Sequence, residues 1–99
     1  MRRLLLYLTI PKGAPKWAIL DLGAFEMTIL LSAANHCIDS NVAYAFVKYP
    51  DIIRKNISIP EDEDIVIGIG LGYEMKEAKI NSFRPGRVPL DHILTVSGD

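Results

Sequence analysis

A 16-residue segment with almost no polar face constrains this fold more than any other feature of the sequence. The segment, DLGAFEMTILLSAANH (residues 21–36), has apolar or small residues nearly all round, and Glu26 is its only charge after the opening Asp21. It is too long for a typical strand and fits a helix that is covered on most of its faces. We therefore predict a buried helix over residues 21–36, with Asp21 capping its first backbone N–H groups.

Shorter apolar runs predict a small sheet beneath this helix. Residues 4–10 and 65–71 are near-continuous apolar runs of strand length, and residues 41–47 form a further extended stretch. Residues 49–57 predict a short helix, because Pro50 suits the first helical position. The expected fold class is α+β, a small β-sheet covered by the buried helix, in one domain over residues 1–99.

The composition excludes several classes of function. The chain has 99 residues with 11 Lys and Arg against 12 Asp and Glu, which gives a net charge of −1. This balance lacks the basic surface that nucleic-acid binding needs. One cysteine and two distant histidines exclude an internal disulfide and a zinc site, and they fit a reducing cytoplasm.

Neither a secretion signal nor a membrane span is predicted. The start of the chain imitates a signal peptide, but its apolar run over residues 4–10 is short and is stopped by Pro11. No apolar run approaches the 18 or so residues of a membrane span. Because 49% of the residues are nevertheless hydrophobic, we expect apolar surface that a partner covers.

The glycines suggest a dinucleotide-binding loop and the cysteine suggests a Cys–His nucleophile pair, but their positions support neither site. GIGLG at residues 68–72 lies inside a predicted strand, and no clear helix follows it. This position disfavours a dinucleotide-binding loop, which needs a helix to begin there. It favours glycines that allow close packing against a helix or a ligand. His36 and Cys37 are neighbours at a helix end, so their side chains point apart. The residues favour a cofactor-assisted or non-catalytic domain over an enzyme that uses its own side chains.

A basic cluster lies near the end of the chain. Arg84 and Arg87 belong to SFRPGRVPL, which Pro85 and Pro89 hold extended. A guanidinium on a stiff loop suits bidentate phosphate recognition. The residues alone favour the alternative, two solvated surface arginines.

Taken in order, these pieces resemble the second half of the FMN-dependent nitroreductase family over nearly the whole chain. The matching pieces, from strand to tail, are LLLYLTI, PKGAPKWAILDLG, AFEMTILLSAANH, CIDSNVAYAFVKYPDIIRKNISIP, EDEDIVIGIGLGYE and INSFRPGRVPLDHIL. The resemblance implies a nitroreductase-like fold truncated to its C-terminal half. It departs from the family at Cys37, where relatives often have glycine, and at Pro85, where some have a basic residue.

The resemblance also implies a cofactor and a site. FMN would take hydride from NAD(P)H and pass it to a small-molecule acceptor such as a nitroaromatic or a quinone. Ala43, Tyr44 and Ala45 would lie beside the isoalloxazine ring, largely through backbone groups. Arg87, in an Arg-x-Pro-Leu pattern, would contact the FMN phosphate, with Arg84 as a second candidate. No catalytic side chain or metal ligand is expected.

The resemblance implies a flavin site shared between two subunits. In the family the C-terminal tail crosses to the partner subunit and adds a strand there, and residues 93–96 have the character of such a strand. We therefore expect a homodimer or larger oligomer with a swapped tail. The alternative function is a non-catalytic remnant that keeps only the dimerisation surface.

Overall fold

Two helices and three strands make up the fold over residues 4–98, the part of the chain that this computed structural model describes. In chain order the elements are β1 (Leu4–Pro11), α1 (Lys16–Asn35), β2 (Asp39–Ala43), α2 (Pro50–Asn56) and β3 (Glu63–Gly72). Three short 3-10 turns supplement them at Tyr44–Val47, Lys79–Ser82 and Leu90–His92. Residues 1–3, part of the signal-like start, lie outside the described residues.

The three strands form one antiparallel sheet in the order β1-β3-β2. Its central strand, β3, places Ile67 opposite Leu8 of β1 and Ile69 opposite Val42 of β2. The strands predicted over residues 4–10 and 65–71 are thus confirmed. The predicted fold class, α+β with a small sheet, is confirmed as well.

The predicted extended stretch over residues 41–47 is only half right. The strand ends at Ala43, and the chain then turns into the 3-10 turn Tyr44–Val47. Residues such as Tyr, Phe and Val favour strands, but tertiary packing overrides this preference. Here the packing is that of Phe46, whose side chain contacts two glycines of β3. By contrast, the short helix predicted around Pro50 is confirmed, with Pro50 in its first turn.

The hydrophobic core lies between the sheet and one stripe of α1. Leu8, Ile67 and Ile69 are buried at its centre, and Leu22 and Leu30 of α1 pack against them from above. Ile69 is fully buried, with 0% of its surface exposed. The alternation of strand side chains puts these three residues on the same face of the sheet, the face that α1 covers.

Helix α1 begins earlier than the sequence predicts and is covered on one side only. Lys16 is its first residue and the extended Pro15 precedes it, so the predicted N-terminal cap at Asp21 is wrong. Proline is well placed at a helix start because it has no N–H to leave unpaired. The helix covers the sheet as predicted, yet Ala33 is its only buried residue. Three strands are too narrow to cover a helix that is apolar all round.

The length and composition of α1 would also allow it to cross a membrane. Its mean hydropathy reaches 1.5 over an 18-residue window, although it contains no uninterrupted apolar run of that length. The helix carries Asp21 and Glu26 within an apolar background. A carboxylate near the middle of a spanning helix is unfavourable. The stripe that packs on the sheet fits a helix covered by protein instead.

The C-terminus of α1 ends in a Schellman motif with a cysteine at its left-handed position. The Ile38 N–H donates to the Ala33 carbonyl at 2.9 Å, and the Cys37 N–H donates to the Ala34 carbonyl at 3.0 Å. Cys37 has a φ of 58°, a conformation in which glycine carries no steric penalty. The motif accounts for the expectation from the resemblance that a glycine would stand at this position.

Replacing Cys37 with glycine is therefore expected to stabilise the chain. Removal of the Cβ relieves the left-handed strain, so the free energy of unfolding should rise by about 1 kcal/mol. For a chain of this size the melting temperature should rise by about 4–8 °C. Thermal unfolding followed by circular dichroism would measure the change. Cys37→Ala is the control, because it removes the thiol and keeps the Cβ. Equal gains in both variants would contradict the backbone explanation.

Candidate functional site

The predicted ring-facing residues lie together where β2 gives way to a 3-10 turn. Ala43 is the last residue of β2 and pairs with Gly68 of β3, while Tyr44 and Ala45 open the turn. Tyr44 is 79% exposed and Ala45 is exposed as well. The methyl side chains of Ala43 and Ala45 let a flat ring approach the backbone closely. This short segment therefore fits the role that the resemblance assigns to it.

The turn is packed onto β3 through Phe46. A Cβ atom built on Gly68 would lie 2.5 Å from the Phe46 Cβ, and one built on Gly70 would lie 3.6 Å from its ring. The expectation that these glycines allow close packing against a helix or a ligand is confirmed, with the 3-10 turn as the helix. They lie within β3, and no helix follows directly, so they do not form a dinucleotide-binding loop.

Phe46 itself is a residue that the sequence analysis missed. The signal available was the Gly-x-Gly pattern, since alternate residues of a strand share a face and two glycines there leave a shallow slot. An aromatic residue just after the neighbouring strand is the natural occupant of such a slot. The pairing of Ala43 with Gly68 identifies this aromatic residue as Phe46. The sequence alone does not show that pairing.

Both candidate phosphate-binding arginines fold back onto their own loop. Arg84 Nη1 donates to the Asn81 carbonyl at 2.5 Å and to the Phe83 carbonyl at 3.0 Å. Arg87 Nη1 donates to the Pro85 and Gly86 carbonyls at 3.3 and 3.1 Å. Among residues 4–98, no hydrogen bond uses Arg87 Nη2 or Nε. An exposed guanidinium with two unused nitrogens is a donor set that fits a phosphate group.

The two predicted parts of the site are not joined by any hydrogen bond among residues 4–98, and neither the segment 43–45 nor the two arginines line the main cleft. That cleft, of about 1270 Å³, lies at the other end of the sheet. There the Glu74 N–H donates to Asp39 Oδ2 at 2.8 Å and the Asn81 side-chain amide donates to the Met75 carbonyl at 2.7 Å.

The remaining reactive side chains show no catalytic arrangement within the described part of the chain. His36 Nδ1 lies 2.8 Å from the Ser32 carbonyl, a local contact within the helix end. Cys37 is exposed and not in a disulfide. Over residues 4–98, no three His, Cys, Asp or Glu side chains cluster closely enough to bind a metal.

Comparison with known sequences points to one family of reductases. The chain is 33% identical over 94 residues to a 4-nitrobenzoate reductase of Nocardioides sp. strain LMS-CY, covering 95% of this chain and 38% of that protein. It is 29% identical over 82 residues to a 4-nitrobenzoate reductase of Pseudomonas putida, covering 83% of this chain and 36% of that protein. No protein-family model matches the chain.

Solved structures with a similar fold carry related names. An FMN- and NADPH-dependent nitroreductase from Sphigopyxis sp. strain HMH superposes with a TM-score of 0.88 at 21% identity, covering 96% of this chain and 43% of that one. An FMN-dependent nitroreductase from Mycobacterium smegmatis, solved in complex with NADPH, also gives a TM-score of 0.88, at 24% identity over 95% of this chain and 42% of that one. In both sequence and fold, this chain is therefore similar to part of a nitroreductase, and it spans less than half the length of each of these proteins.

Proposed function

We propose that this chain supplies the C-terminal half of the flavin site of a cytoplasmic FMN-dependent NAD(P)H oxidoreductase. The observation that carries the proposal is the 33% identity to a 4-nitrobenzoate reductase over 95% of this chain. The exposed residues Tyr44 and Ala45, which follow the half-buried Ala43, and the partly unpaired guanidinium of Arg87 support it, because they fit a ring and a phosphate respectively. The acceptor in this proposal is a nitroaromatic or a quinone.

The residues of the chain would bind and orient the cofactor. Bound FMN would supply hydride transfer from NAD(P)H to the acceptor, chemistry that needs no nucleophile or acid pair from the protein. The backbone of Ala43, Tyr44 and Ala45 would border the isoalloxazine ring. Arg87 would hold the phosphate by charge-assisted hydrogen bonds, with Arg84 in a lesser role. Because no hydrogen bond joins these two parts within residues 4–98, a second subunit or a further segment of the fold would complete the site.

A non-catalytic dimerisation module is the second candidate function. The observation that favours it is the exposed apolar side of α1, where Leu20 is 74% exposed and Leu31 is 64% exposed. Such a surface stabilises a complex whether or not a cofactor binds nearby. Flavin binding therefore distinguishes the two functions.

The chain alone is expected to bind FMN weakly or not at all. It offers one phosphate-facing segment and one ring-facing segment, and a phosphate that is desolvated without enough donors is costly to bury. The measurement is quenching of FMN fluorescence on titration, first with the chain alone. The titration is then repeated after mixing with the segment of the Nocardioides 4-nitrobenzoate reductase that this chain does not match. Quenching is expected only in the mixture.

Three outcomes separate the candidate functions. Quenching in the mixture alone supports a shared flavin site. Tight stoichiometric binding by the chain alone contradicts the predicted need for a partner. A stable complex that binds no FMN favours the dimerisation module.

A further inference from the structure

We infer that Phe46, seated in a slot formed by Gly68 and Gly70, is the positioning residue that fixes the flavin-facing turn on the sheet. The inference rests on the proposed role of the segment 43–45. It adds a residue that touches neither cofactor nor substrate and acts through the backbone of its neighbours.

The strand register builds the slot. Antiparallel pairing puts Ala43 opposite Gly68 and Asn41 opposite Gly70. Directly paired residues share a face, so the two glycines lie on the face away from Ile67 and Ile69, which belong to the core beneath α1. The second face of the sheet therefore has a gap next to the point where β2 ends.

Phe46 occupies this gap along its length. Its Cβ lies over Gly68, where an added Cβ would be 2.5 Å away and the ring atom Cδ2 3.1 Å away. Its ring extends towards Gly70, where an added Cβ would contact Cε2 and Cζ at 3.6 Å. The 2.5 Å distance at Gly68 is shorter than any real Cβ contact, whereas the 3.6 Å distance at Gly70 is an ordinary van der Waals contact. Only glycine is compatible with this packing at position 68.

The turn ends in a weak hydrogen bond. This bond, from the Lys48 N–H to the Ala45 carbonyl, is 3.4 Å long, near the limit of a useful bond. Tyr44 and Ala45 are exposed and pack against little. Phe46, next to Ala45 in the chain, is partly buried. Its contact with β3 therefore sets the orientation of the backbone that would face the flavin.

The first test changes the slot. Gly68→Ala places a Cβ against the Cβ of Phe46, so the turn has to move, and the melting temperature should fall by about 5–20 °C. The amide shifts of residues 43–47 in a ¹H–¹⁵N spectrum should change with it. Gly72→Ala is the matched control in the same strand, since an added Cβ there meets nothing within 4 Å. Equal behaviour of the two variants would overturn the slot.

The second test changes the occupant and separates positioning from plain stability. Phe46→Ala should raise amide hydrogen exchange in residues 43–47 by about tenfold or more, and Phe46→Leu should restore most of the protection. Ile53→Ala in α2 is the stability control, because Ile53 is buried in an element outside the slot. It should lower the melting temperature without selectively exposing residues 43–47. If Phe46→Ala behaves like Ile53→Ala, Phe46 is a core residue only and the inference is wrong.

A third measurement links the slot to the cofactor. In the mixture with the segment of the Nocardioides reductase, Phe46→Ala should weaken FMN binding about tenfold or more, and Phe46→Leu should weaken it less. Unchanged FMN affinity in Phe46→Ala would overturn the positioning role. If the unaltered mixture binds no FMN, the proposed function fails, while amide exchange in the chain alone still decides whether Phe46 fixes the turn.

Discussion

Replacing Arg87 with alanine is expected to weaken FMN binding about ten- to a hundredfold in the complemented mixture. The reason is the loss of a charge-assisted hydrogen bond to the phosphate, which contributes roughly 1.5–3 kcal/mol, and about 1.4 kcal/mol corresponds to a tenfold change in affinity. Fluorescence quenching titrations of FMN against the variant and the unaltered chain would measure the loss. Riboflavin is the matched ligand control, because it lacks the phosphate and its affinity should not change.

The local geometry ranks the two arginines. Arg84 Nη1 is bonded to its carbonyls at 2.5 and 3.0 Å, whereas Arg87 Nη1 has the longer distances of 3.3 and 3.1 Å. Arg87 therefore gives up less when it turns towards a phosphate, and Arg84→Ala should cost less FMN affinity. Arg87→Lys should recover part of the loss, since it keeps the charge but not the planar fork. If both alanine variants lose equally little FMN affinity, the two residues are solvated surface arginines and do not bind the phosphate.

Most of the fold followed from short-range patterns in the sequence. The apolar runs gave β1 and β3, and Pro50 marked the start of α2, because side-chain periodicity and proline chemistry are local. The start of α1 did not follow, since Asp21 is a good capping residue that lies one turn inside the helix. What ends the helix is visible only in three dimensions, where Cys37 adopts the left-handed conformation usually taken by glycine.

Less of the candidate site could be predicted from residues alone. The packing role of Gly68 and Gly70 followed from their position in a strand, but the contact with Phe46 depends on how β2 pairs with β3. The roles proposed for Ala43 and Arg87 rest on the family resemblance, because backbone contacts to a ring would leave no side-chain signature. For the same reason, a domain whose chemistry a cofactor supplied would carry no catalytic motif.

The outer side of α1 predicts self-association more strongly than any other surface. Trp17, Leu20, Ala24, Met27 and Leu31 follow each other at alternating spacings of three and four residues, the spacing of a helix–helix seam. All five are exposed in the single chain, and the four large side chains, Trp17, Leu20, Met27 and Leu31, are 69%, 74%, 54% and 64% exposed. This outer seam lies opposite the stripe that packs on the sheet. We expect a dimer or larger oligomer in which the seam is covered.

Leu20→Glu and Leu31→Glu are therefore expected to break the assembly. Each would place an unpaired carboxylate in a desolvated apolar contact, which costs several kcal/mol and should raise the dissociation constant at least about a hundredfold. Thr28→Glu is the matched control, since Thr28 is exposed on α1 but lies beside the seam. Sedimentation velocity at micromolar concentration would show monomers for the two leucine variants and an oligomer for the control.

Removal of residues 91–99 tests the second part of the predicted interface, the exchanged tail. Residues 93–98 form no helix or strand within the chain, and Ile93 and Val96 are largely exposed. These apolar side chains therefore bury little surface against their own subunit. Strand addition to a partner would pair backbone groups that are otherwise left to solvent. Shortened chains should sediment as smaller species or aggregate, whereas the glutamate variants should remain folded, because their substitutions lie on the outer side of α1. If the unaltered chain is a well-folded monomer at every concentration, neither the seam nor the tail forms an interface between copies of this chain.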